Sequence, residues 1–478
     1  MVEILNGIDY KILKKFETGP FSGMEYDSRK VKKGDIFVAL EGAAFDGHKF
    51  IDMAVENGAS AVIGSKEIEV NHDITYIVVK NLRQKLGVIA SNFYKWPQKK
   101  LEIVGITGTN GKTTTTYLLE QILGEDKVSR IGTVEYKVGN EIIPAPNTTP
   151  ESLDLIKICR KSVDRGIKYL IMEVSSHALE MGRVEMIDFD VTAFTNLTPE
   201  HLDYHKDMEE YFSAKRKLFY KTKNKENTVF NTDDFYGKRL FDEFGGISYG
   251  IESGDLNASM ISHSLKTQEI ELSFKEFQKK INIKLQGKFN VYNLLTAVGV
   301  AIRLGLSLEE ITDRLEKLES APGRFECIEA GQNFMVVVDY AHTADALENI
   351  LSALNEIKIE KIITVFGCGG DRDLSKRKPM AETAEKLSDI VIVTSDNPRT
   401  EDPVKILDEV SKGLSSLKDS LLEIDREKAI EKAVGMAKKN DIVLIAGKGH
   451  EDYQIIGKDK IHFDDKEVAL KYIQGKKL

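Results

Sequence analysis

Cysteine is scarce in this sequence: three residues in 478, with no Cys-x-x-Cys pair and no Cys/His cluster. That excludes a disulfide framework and a zinc finger, and it fits a reducing compartment. There is no excess of positive charge, since 67 Lys and Arg stand against 76 Asp and Glu, a formal net charge of −9. A surface built for nucleic-acid phosphates is excluded, although one local basic pocket is not. No apolar run approaches the roughly 20 residues of a membrane span. The opening MVEILNGIDYKILKKF has no apolar stretch followed by a cleavage site, so no signal peptide is expected. Low-complexity segments and internal repeats are also missing. What is present is 41% hydrophobic and 30% charged residues, enough apolar side chains for packed cores. A soluble, cytoplasmic protein of about three domains is expected.

Three blocks are readable, 1–97, 98–320 and 321–478. The first holds the strands IFVAL, from Ile36, and AVIG, from Ala61, with helical stretches between them. The second holds LEIVGIT from Leu101, YLIMEV from Tyr169, VTAFTN from Val191 and NTVFN from Asn227. Strands alternating with helices predict a parallel sheet covered on both faces. ISHSLKTQEIELSF and KKINIKLQG alternate more loosely and predict an antiparallel hairpin at the sheet edge. The third block holds MVVVDY, KIITVFG, DIVIVTS and DIVLIAG, each ending in a polar or glycine-rich loop. Ligands of open α/β sheets bind outside the carboxyl ends of the strands. The fold class expected is therefore α/β in three domains: a small N-terminal α/β domain, a central parallel-sheet domain and a C-terminal Rossmann-like domain.

The loop after LEIVGIT reads Gly108-Thr109-Asn110-Gly111-Lys112-Thr113-Thr114 and runs into a helical pattern. Glycines let backbone N–H groups converge on phosphate oxygens, and the helix N-terminus adds partial positive charge. Lys112 is placed to reach the β/γ-phosphates, and the Thr113 hydroxyl to ligate Mg²⁺. The GxxxxGK[ST] pattern is incomplete, because Ile106 stands where its first glycine is expected. Strand YLIMEV ends in Glu173, a carboxylate well placed for Mg²⁺ beside a phosphate loop. Lys215, in a segment rich in Lys and Arg, reads by itself as a solvated surface residue.

Gly-Thr-Asn-Gly-Lys-Thr-Thr resembles the ATP loop of the Mur ligase family, ATP-dependent amide-forming enzymes of cell-wall precursor synthesis. The family's three-domain order is similar to the three blocks, so the resemblance spans nearly the whole chain. It implies a P-loop ATPase-like central domain that binds ATP through Gly108 to Thr114. Asn293 of Gly287-Lys288-Phe289-Asn290-Val291-Tyr292-Asn293, Arg324 of Ala321-Pro322-Gly323-Arg324 and Asp339 of Asp339-Tyr340-Ala341-His342-Thr343 would also contact ATP. It implies two Mg²⁺ ions held by Thr113, Glu173, His201 and Lys215, with Lys215 carbamylated by CO₂ into an anionic oxygen ligand. The N-terminal domain would bind a UDP-sugar, with Ser28 near the uridine. Asn147, Thr148, Thr149, Ser175 and Arg183 would contact the UDP-muramoyl peptide. Two departures stand out: Met181 where some relatives carry Gln, and Ala344 where the family usually has Pro.

Three further loops fall at strand carboxyl ends: Gly369-Gly370-Asp371-Arg372-Asp373 with Arg377 nearby, Asp396-Asn397-Pro398-Arg399, and Gly447-Lys448-Gly449-His450-Glu451. Arg377 and Arg399 could clamp carboxylate, while Asp396, Asn397 and Glu451 could receive an ammonium. Together they suit a diamino diacid. Asp396-Asn397-Pro398-Arg399 resembles the family members that add meso-diaminopimelate, and the resemblance carries Gly447 and Pro398 into that pocket. L-Lysine lacks the distal carboxylate that Arg399 would pair, whereas lanthionine has the same two ends. The catalytic set implied is Lys112, Lys215, His201 and His342, the two histidines being candidate bases for the amine. Other readings are a folylpolyglutamate synthetase-like ligase and a P-loop ATPase or kinase that forms no amide. A monomer acting on small-molecule substrates, without nucleic acid, is expected.

Overall fold

The structure is a computed structural model and describes residues 2–16, 19–42, 46–200, 204–264, 267–415 and 420–476. Three sheet-centred α/β domains follow one another along the chain. By their contacts they form two compact units, Met1–Tyr249 with Gly299–Gly305, and Gly250–Val298 with Leu306–Leu478. Among the described residues, no helix is long and apolar enough to cross a membrane.

The first unit holds two sheets. The N-terminal sheet orders its strands Tyr10–Lys14, Thr75–Val79, Ala61–Gly64, Ile36–Val38 and Met24–Glu25. Only the first pairing is antiparallel. Helix Leu82–Tyr94 turns Leu82, Leu86, Ile89 and Ala90 to one buried face, the spacing of an amphipathic helix. These residues share one core with Leu153, Ile156, Met172 and Phe189 of the central domain. That shared core is why the first two domains form a single unit.

In the central sheet, Glu102–Thr107 lies between Tyr169–Glu173 and Val191–Phe194, parallel to both. The register pairs Glu173 with Ile106 and Phe194 with Thr107. Three carboxyl ends therefore open side by side where the glycine-rich loop begins. Val128–Ile131 continues the parallel run, and the hairpin Glu135–Val138 with Glu141–Pro144 adds antiparallel strands.

The second unit begins with Leu256–His263, Gln268–Phe274 and Phe277–Ile283, paired antiparallel in sequence. The expected single hairpin is thus a three-stranded meander. ISHSLKTQEIELSF folds back on itself at Ser264, whose N–H donates to the Thr267 carbonyl at 2.8 Å. Ser and Thr in this position favour such a turn over a continuous strand.

The C-terminal sheet runs Glu326–Cys327, Met335–Asp339, Ile442–Ala446, Ile362–Cys368, Ile390–Ser395 and Ser420–Glu423, parallel after the first pairing. Its inner strands are near-continuous Val/Ile/Leu runs because both faces are covered. The last of these strands in sequence inserts between the first two parallel ones, so the strand order reverses beside it and leaves a crevice at the carboxyl ends. Under that crevice lies a closed ion pair. Arg426 donates from Nε and Nη2 to the Asp465 carboxylate at 2.7 Å each, and neither side chain is exposed. Asp465→Ala leaves the guanidinium buried and unpaired. We expect it to lower the unfolding free energy by about 3–5 kcal/mol, read from urea unfolding followed by circular dichroism. An unchanged midpoint would contradict this.

Candidate active site

Gly108 leaves its strand at φ +150°, and Gly111 sits at +88° immediately before helix Lys112–Leu123. A Cβ on Gly108 would fall 1.9 Å from Thr195 Oγ1, so the loop packs too closely there for any side chain. Asn196 and Thr195 from the neighbouring strand end brace the loop. The Thr109 N–H donates to the Asn196 carbonyl at 2.8 Å, and the Asn110 N–H to Asn196 Oδ1 at 2.9 Å. Lys112 Nζ donates to the Gly108 and Thr109 carbonyls at 2.8 and 2.7 Å, inside the cradle.

Thr113 and Glu173 meet, as their places at adjacent strand ends require. Thr113 Oγ1 donates to Glu173 Oε1 at 2.9 Å. Thr133, a residue that no motif marked, also holds this carboxylate: its N–H donates to Oε1 at 2.9 Å and its hydroxyl to Oε2 at 3.0 Å. Gly132 makes room, because a Cβ there would lie 2.3 Å from Glu173 Oε1. A carboxylate and a hydroxyl are hard oxygen donors and fit Mg²⁺. His201 lies outside the described residues.

Lys215 is not a solvated surface residue. Its side chain is buried, and Nζ donates to the Gly108 carbonyl at 2.8 Å, the same oxygen that Lys112 reaches. The Tyr211 ring lies 4.5 Å from Nζ. Burial holds the Lys215 amine well below the usual lysine range, the Lys112 ammonium pushes it the same way, and Glu200 opposes. Two lysine nitrogens sharing one carbonyl are tolerable if one is uncharged, and burial selects Lys215. Helix Met208–Arg216 carries Tyr211, Phe212, Ala214 and Lys215 on its buried face. His205 is also buried, with Nε2 3.1 Å from Ser176 Oγ.

The segment 147–149 folds against the same strand end. Thr149 is buried, with its hydroxyl donating to the Glu173 carbonyl at 2.9 Å and accepting from the Ser175 N–H at 3.1 Å. Ser175 caps helix Ser176–Glu180 through the Ala178 N–H. Arg183 Nη1 donates to the Thr149 carbonyl at 2.9 Å, and Nη2 lies 3.5 Å from Met181 Sδ. Thr148 Oγ1 is 3.1 Å from Thr133 Oγ1, while Asn147 is exposed. Thr148, Thr149 and Ser175 are therefore linked to Glu173 directly or through one hydrogen-bonded neighbour, Arg183 joins them through Thr149, and Asn147 stays at the surface. Ser28 belongs to the neighbouring domain, where it is buried against Met53, 3.3 Å from its sulfur. Tyr26, two residues earlier, donates its hydroxyl to Asp154 at 2.5 Å and so ties that domain to the central one.

In the second unit, Asn293 donates to Asn290 Oδ1 at 3.2 Å, and Asn290 to the Gln286 carbonyl at 2.9 Å. The Gln286 side-chain amide is buried, with neither end hydrogen-bonded among the described residues. Asp339 accepts from the Phe325 and Ala341 N–H groups at 2.7 and 2.8 Å. Burial raises its carboxyl, and Arg324 counters. Arg324 lies over the Tyr340 ring at 4.8 Å. His342 and His450 flank the same ring at 4.7 and 5.0 Å. Burial lowers both imidazoles, His450 to about 4.

The crevice of the C-terminal sheet brings Asp396, Asn397, Arg399, Gly447 and Glu451 together. Asn397 Nδ2 donates to Glu451 Oε2 at 2.9 Å. A Cβ on Gly447 would sit 2.9 Å from Asp396 Oδ2. Arg399 takes a left-handed φ of +52°. The hairpin Tyr453–Ile456 with Asp459–His462 holds it there: the Arg399 N–H donates to the Ile455 carbonyl at 3.0 Å, and the Gly457 N–H to the Arg399 carbonyl at 2.7 Å. Arg399 Nη1 reaches the Gly370 carbonyl at 2.8 Å, which fixes the guanidinium beside that loop. Arg377 has different partners. It is buried, with Nη1 2.6 Å from Glu409 and Nη2 2.9 Å from Glu401. Arg372 is exposed on the Gly369–Asp373 loop and donates no hydrogen bond among the described residues. Sequence spacing drew attention to Arg377, but only the ion pairs distinguish the two arginines.

Comparison with known proteins accounts for this arrangement. The Mur ligase family catalytic domain matches residues 20–94, the Mur ligase middle domain 106–301, and the glutamate ligase domain 323–449. The chain is 54% identical to UDP-N-acetylmuramoyl-L-alanyl-D-glutamate–2,6-diaminopimelate ligase of Fusobacterium nucleatum, across 100% of this chain and 99% of that one. It is 44% identical to the ligase of the same name from Clostridium tetani, across 99% of both. A solved structure of a ligase with that name superposes with a TM-score of 0.70 at 33% identity, covering 97% of each chain. Agreement of sequence over full length, of fold and of the strand-end loops leaves one conclusion: the chain belongs to the Mur ligase family.

Proposed function

We propose that this protein is the ATP-dependent ligase that joins meso-2,6-diaminopimelate to UDP-N-acetylmuramoyl-L-alanyl-D-glutamate, a step of cytoplasmic peptidoglycan precursor synthesis. The observation that carries the amino-acid assignment is the Arg399 guanidinium on the strand-end loop that also carries Asp396, fixed at the Gly370 carbonyl, with Glu451 joined to that loop through Asn397. A diamino diacid offers the matching carboxylate and ammonium at one end. Arg372 supports the reading as a second cation for that carboxylate, while Arg377, paired to Glu401 and Glu409, positions the loop. The domains we assign are 1–97 for the UDP-sugar, with Ser28 among its contacts, 98–320 for ATP, and 321–478 for the amino acid.

A free carboxylate of the dipeptide attacks the ATP γ-phosphorus, and the bond to ADP breaks. The substrate amine then attacks the acyl phosphate carbon, phosphate leaves, and the amide forms. Several anions must meet for the first step. Lys112 and the loop N–H groups from Gly108 to Thr114 neutralise the phosphates. Arg183, with Asn147, Thr148, Thr149 and Ser175 around it, orients the UDP-muramoyl peptide. Asn293, Arg324 and Asp339 bind the nucleotide, with the Gln286 amide as a further polar partner. Thr113, Glu173, His201 and carbamylated Lys215 would hold two Mg²⁺ ions, which when bound supply charge neutralisation at the phosphates. Neutral His342 is available to accept a proton from the incoming amine.

The test is ADP release with UDP-muramoyl-dipeptide and ATP, run with meso-diaminopimelate, L-lysine, lanthionine or no amine, with product mass read alongside. Turnover and an amide product with a diamino diacid are expected. ADP release indifferent to every amine would sink the ligase reading, and a preference for L-lysine would sink the pocket reading alone. In the same assay, Gly132→Ala displaces the Glu173 carboxylate and is expected to lower turnover about 10–100-fold. Wild-type turnover in that variant would mean that Glu173 tolerates the displacement.

A further inference from the structure

The amino-acid pocket stands on a buried cation that its recognition chemistry does not use. Lys448 follows Gly447 at the end of strand Ile442–Ala446, and its side chain has no exposed surface. Its ammonium lies 3.4 Å from Glu451 Oε2 and 3.9 Å from Asp396 Oδ1, with the Tyr453 ring 5.4 Å away. An ammonium taken fully out of water is strongly disfavoured unless acids pair with it. Two carboxylates turned to one small site disfavour each other's ionisation in the same way. Each problem is the remedy for the other. Beneath this trio, Arg426 Nη2 donates to the Ala446 carbonyl at 3.1 Å, which anchors the strand end from which Gly447 and Lys448 project.

We propose that Lys448 is a positioning residue for amine capture: its buried ammonium keeps Asp396 and Glu451 both ionised and aimed into the pocket, leaving one net negative charge for the substrate ammonium. The inference rests on the amino-acid pocket assigned above. It deepens that reading, because among the described residues Lys448 is the cation within 3.9 Å of both carboxylates, and without it their mutual repulsion is offset only by more distant arginines.

Other charged and titratable groups act on these carboxylates, Arg426, Tyr340 and Tyr453 on both and His342 and Cys368 on Asp396, while Arg399 stands on the Asp396 loop. The arginines stay charged at any working pH. Burial raises the tyrosines and the thiol, and it lowers His342. All of these groups are common to the wild-type protein and the variant, so a difference in pH dependence between the two reports on Lys448. With Lys448 in place, the KM for the diamino acid is expected to be flat from about pH 6.5 to 8. Without it, the acid pair takes up a proton as pH falls, and KM rises.

The experiment is Lys448→Met, with KM and kcat for meso-diaminopimelate measured from about pH 6.5 to 8, and the KM for ATP as an internal control. We expect the KM for the amino acid to climb about tenfold per pH unit on the acid side, with kcat at saturation and the ATP KM little changed. Lys448→Met/Glu451→Gln removes one carboxylate along with the cation, and serves if the single variant is insoluble. Its amino-acid KM should be raised but independent of pH. A flat, wild-type KM in Lys448→Met, a loss of kcat with KM unchanged, or a wild-type KM in the double variant would overturn the proposal. If wild-type turnover depends on the diamino diacid while these variants behave so, only the role of Lys448 fails. If wild-type turnover ignores the amine, the underlying function fails instead.

Discussion

Lys215→Ala abolishes amide formation, with turnover down by about 1000-fold, and added bicarbonate does not restore it. The reason is the state of the amine. Nζ is buried against the Gly108 carbonyl and the Tyr211 ring, and burial together with the Lys112 charge disfavours its protonated form and holds it well below the usual lysine range. An unprotonated amine is the form that adds to CO₂: nitrogen bonds to carbon, one proton leaves, and a neutral amine becomes an anion with two oxygen donors. Alanine removes the nitrogen, so no concentration of bicarbonate can replace the group. Because the carbamate forms from the neutral amine with loss of a proton, acidification reverses it. Protein equilibrated with ¹³C-bicarbonate should show a carbamate carbonyl resonance at neutral pH that fades as pH falls and is missing from Lys215→Ala. Near-wild-type turnover in the variant would remove the carbamate role. Absence of the resonance in active wild-type protein would do the same.

Arg399→Ala raises the KM for meso-diaminopimelate by about 10–150-fold, corresponding to about 1.5–3 kcal/mol for hydrogen bonds to a charged group. The KM for ATP is expected to change little, since no role in nucleotide binding is assigned to Arg399. The guanidinium is placed by a strained backbone. A non-glycine residue at φ +52° is held by the Ile455 carbonyl and the Gly457 N–H, and such strain, of order 1–3 kcal/mol, persists where surrounding structure enforces it. Alanine keeps the backbone geometry available and deletes only the charge, so discrimination between meso-diaminopimelate and L-lysine should collapse along with affinity. Parallel KM measurements with the two amines check this. Equal losses for ATP and amino acid would indicate a folding defect instead.

The motifs were legible because they sit at strand ends, where local chemistry is visible in a short window. Gly108 to Thr114, Glu173 and Asp396 to Arg399 follow apolar runs whose boundaries the sequence marks. The meander at 256–283 was harder, since a Ser/Thr turn inside a polar alternating segment looks like more strand. Thr133 was invisible: it lies forty residues from the carboxylate it holds, and nothing in its neighbours announces the contact. Arg377 reads in the sequence as a carboxylate clamp beside Arg399, but Glu401 and Glu409, brought from 24 and 32 residues away, take it up.

The amino-acid sequence by itself determined the α/β class, the order of the three domains, the phosphate loop and the polar loops of the amino-acid pocket. Each depends on residues close along the chain, through hydrophobic period, glycine freedom and strand-end position. Tertiary structure alone decided that Lys215 is buried rather than solvated, that Arg377 is spent on internal acids, and that Lys448 lies under Asp396 and Glu451. Charge state and partner choice depend on burial and on neighbours brought from distant segments, and a side chain's desolvation cannot be read from the residues beside it in sequence.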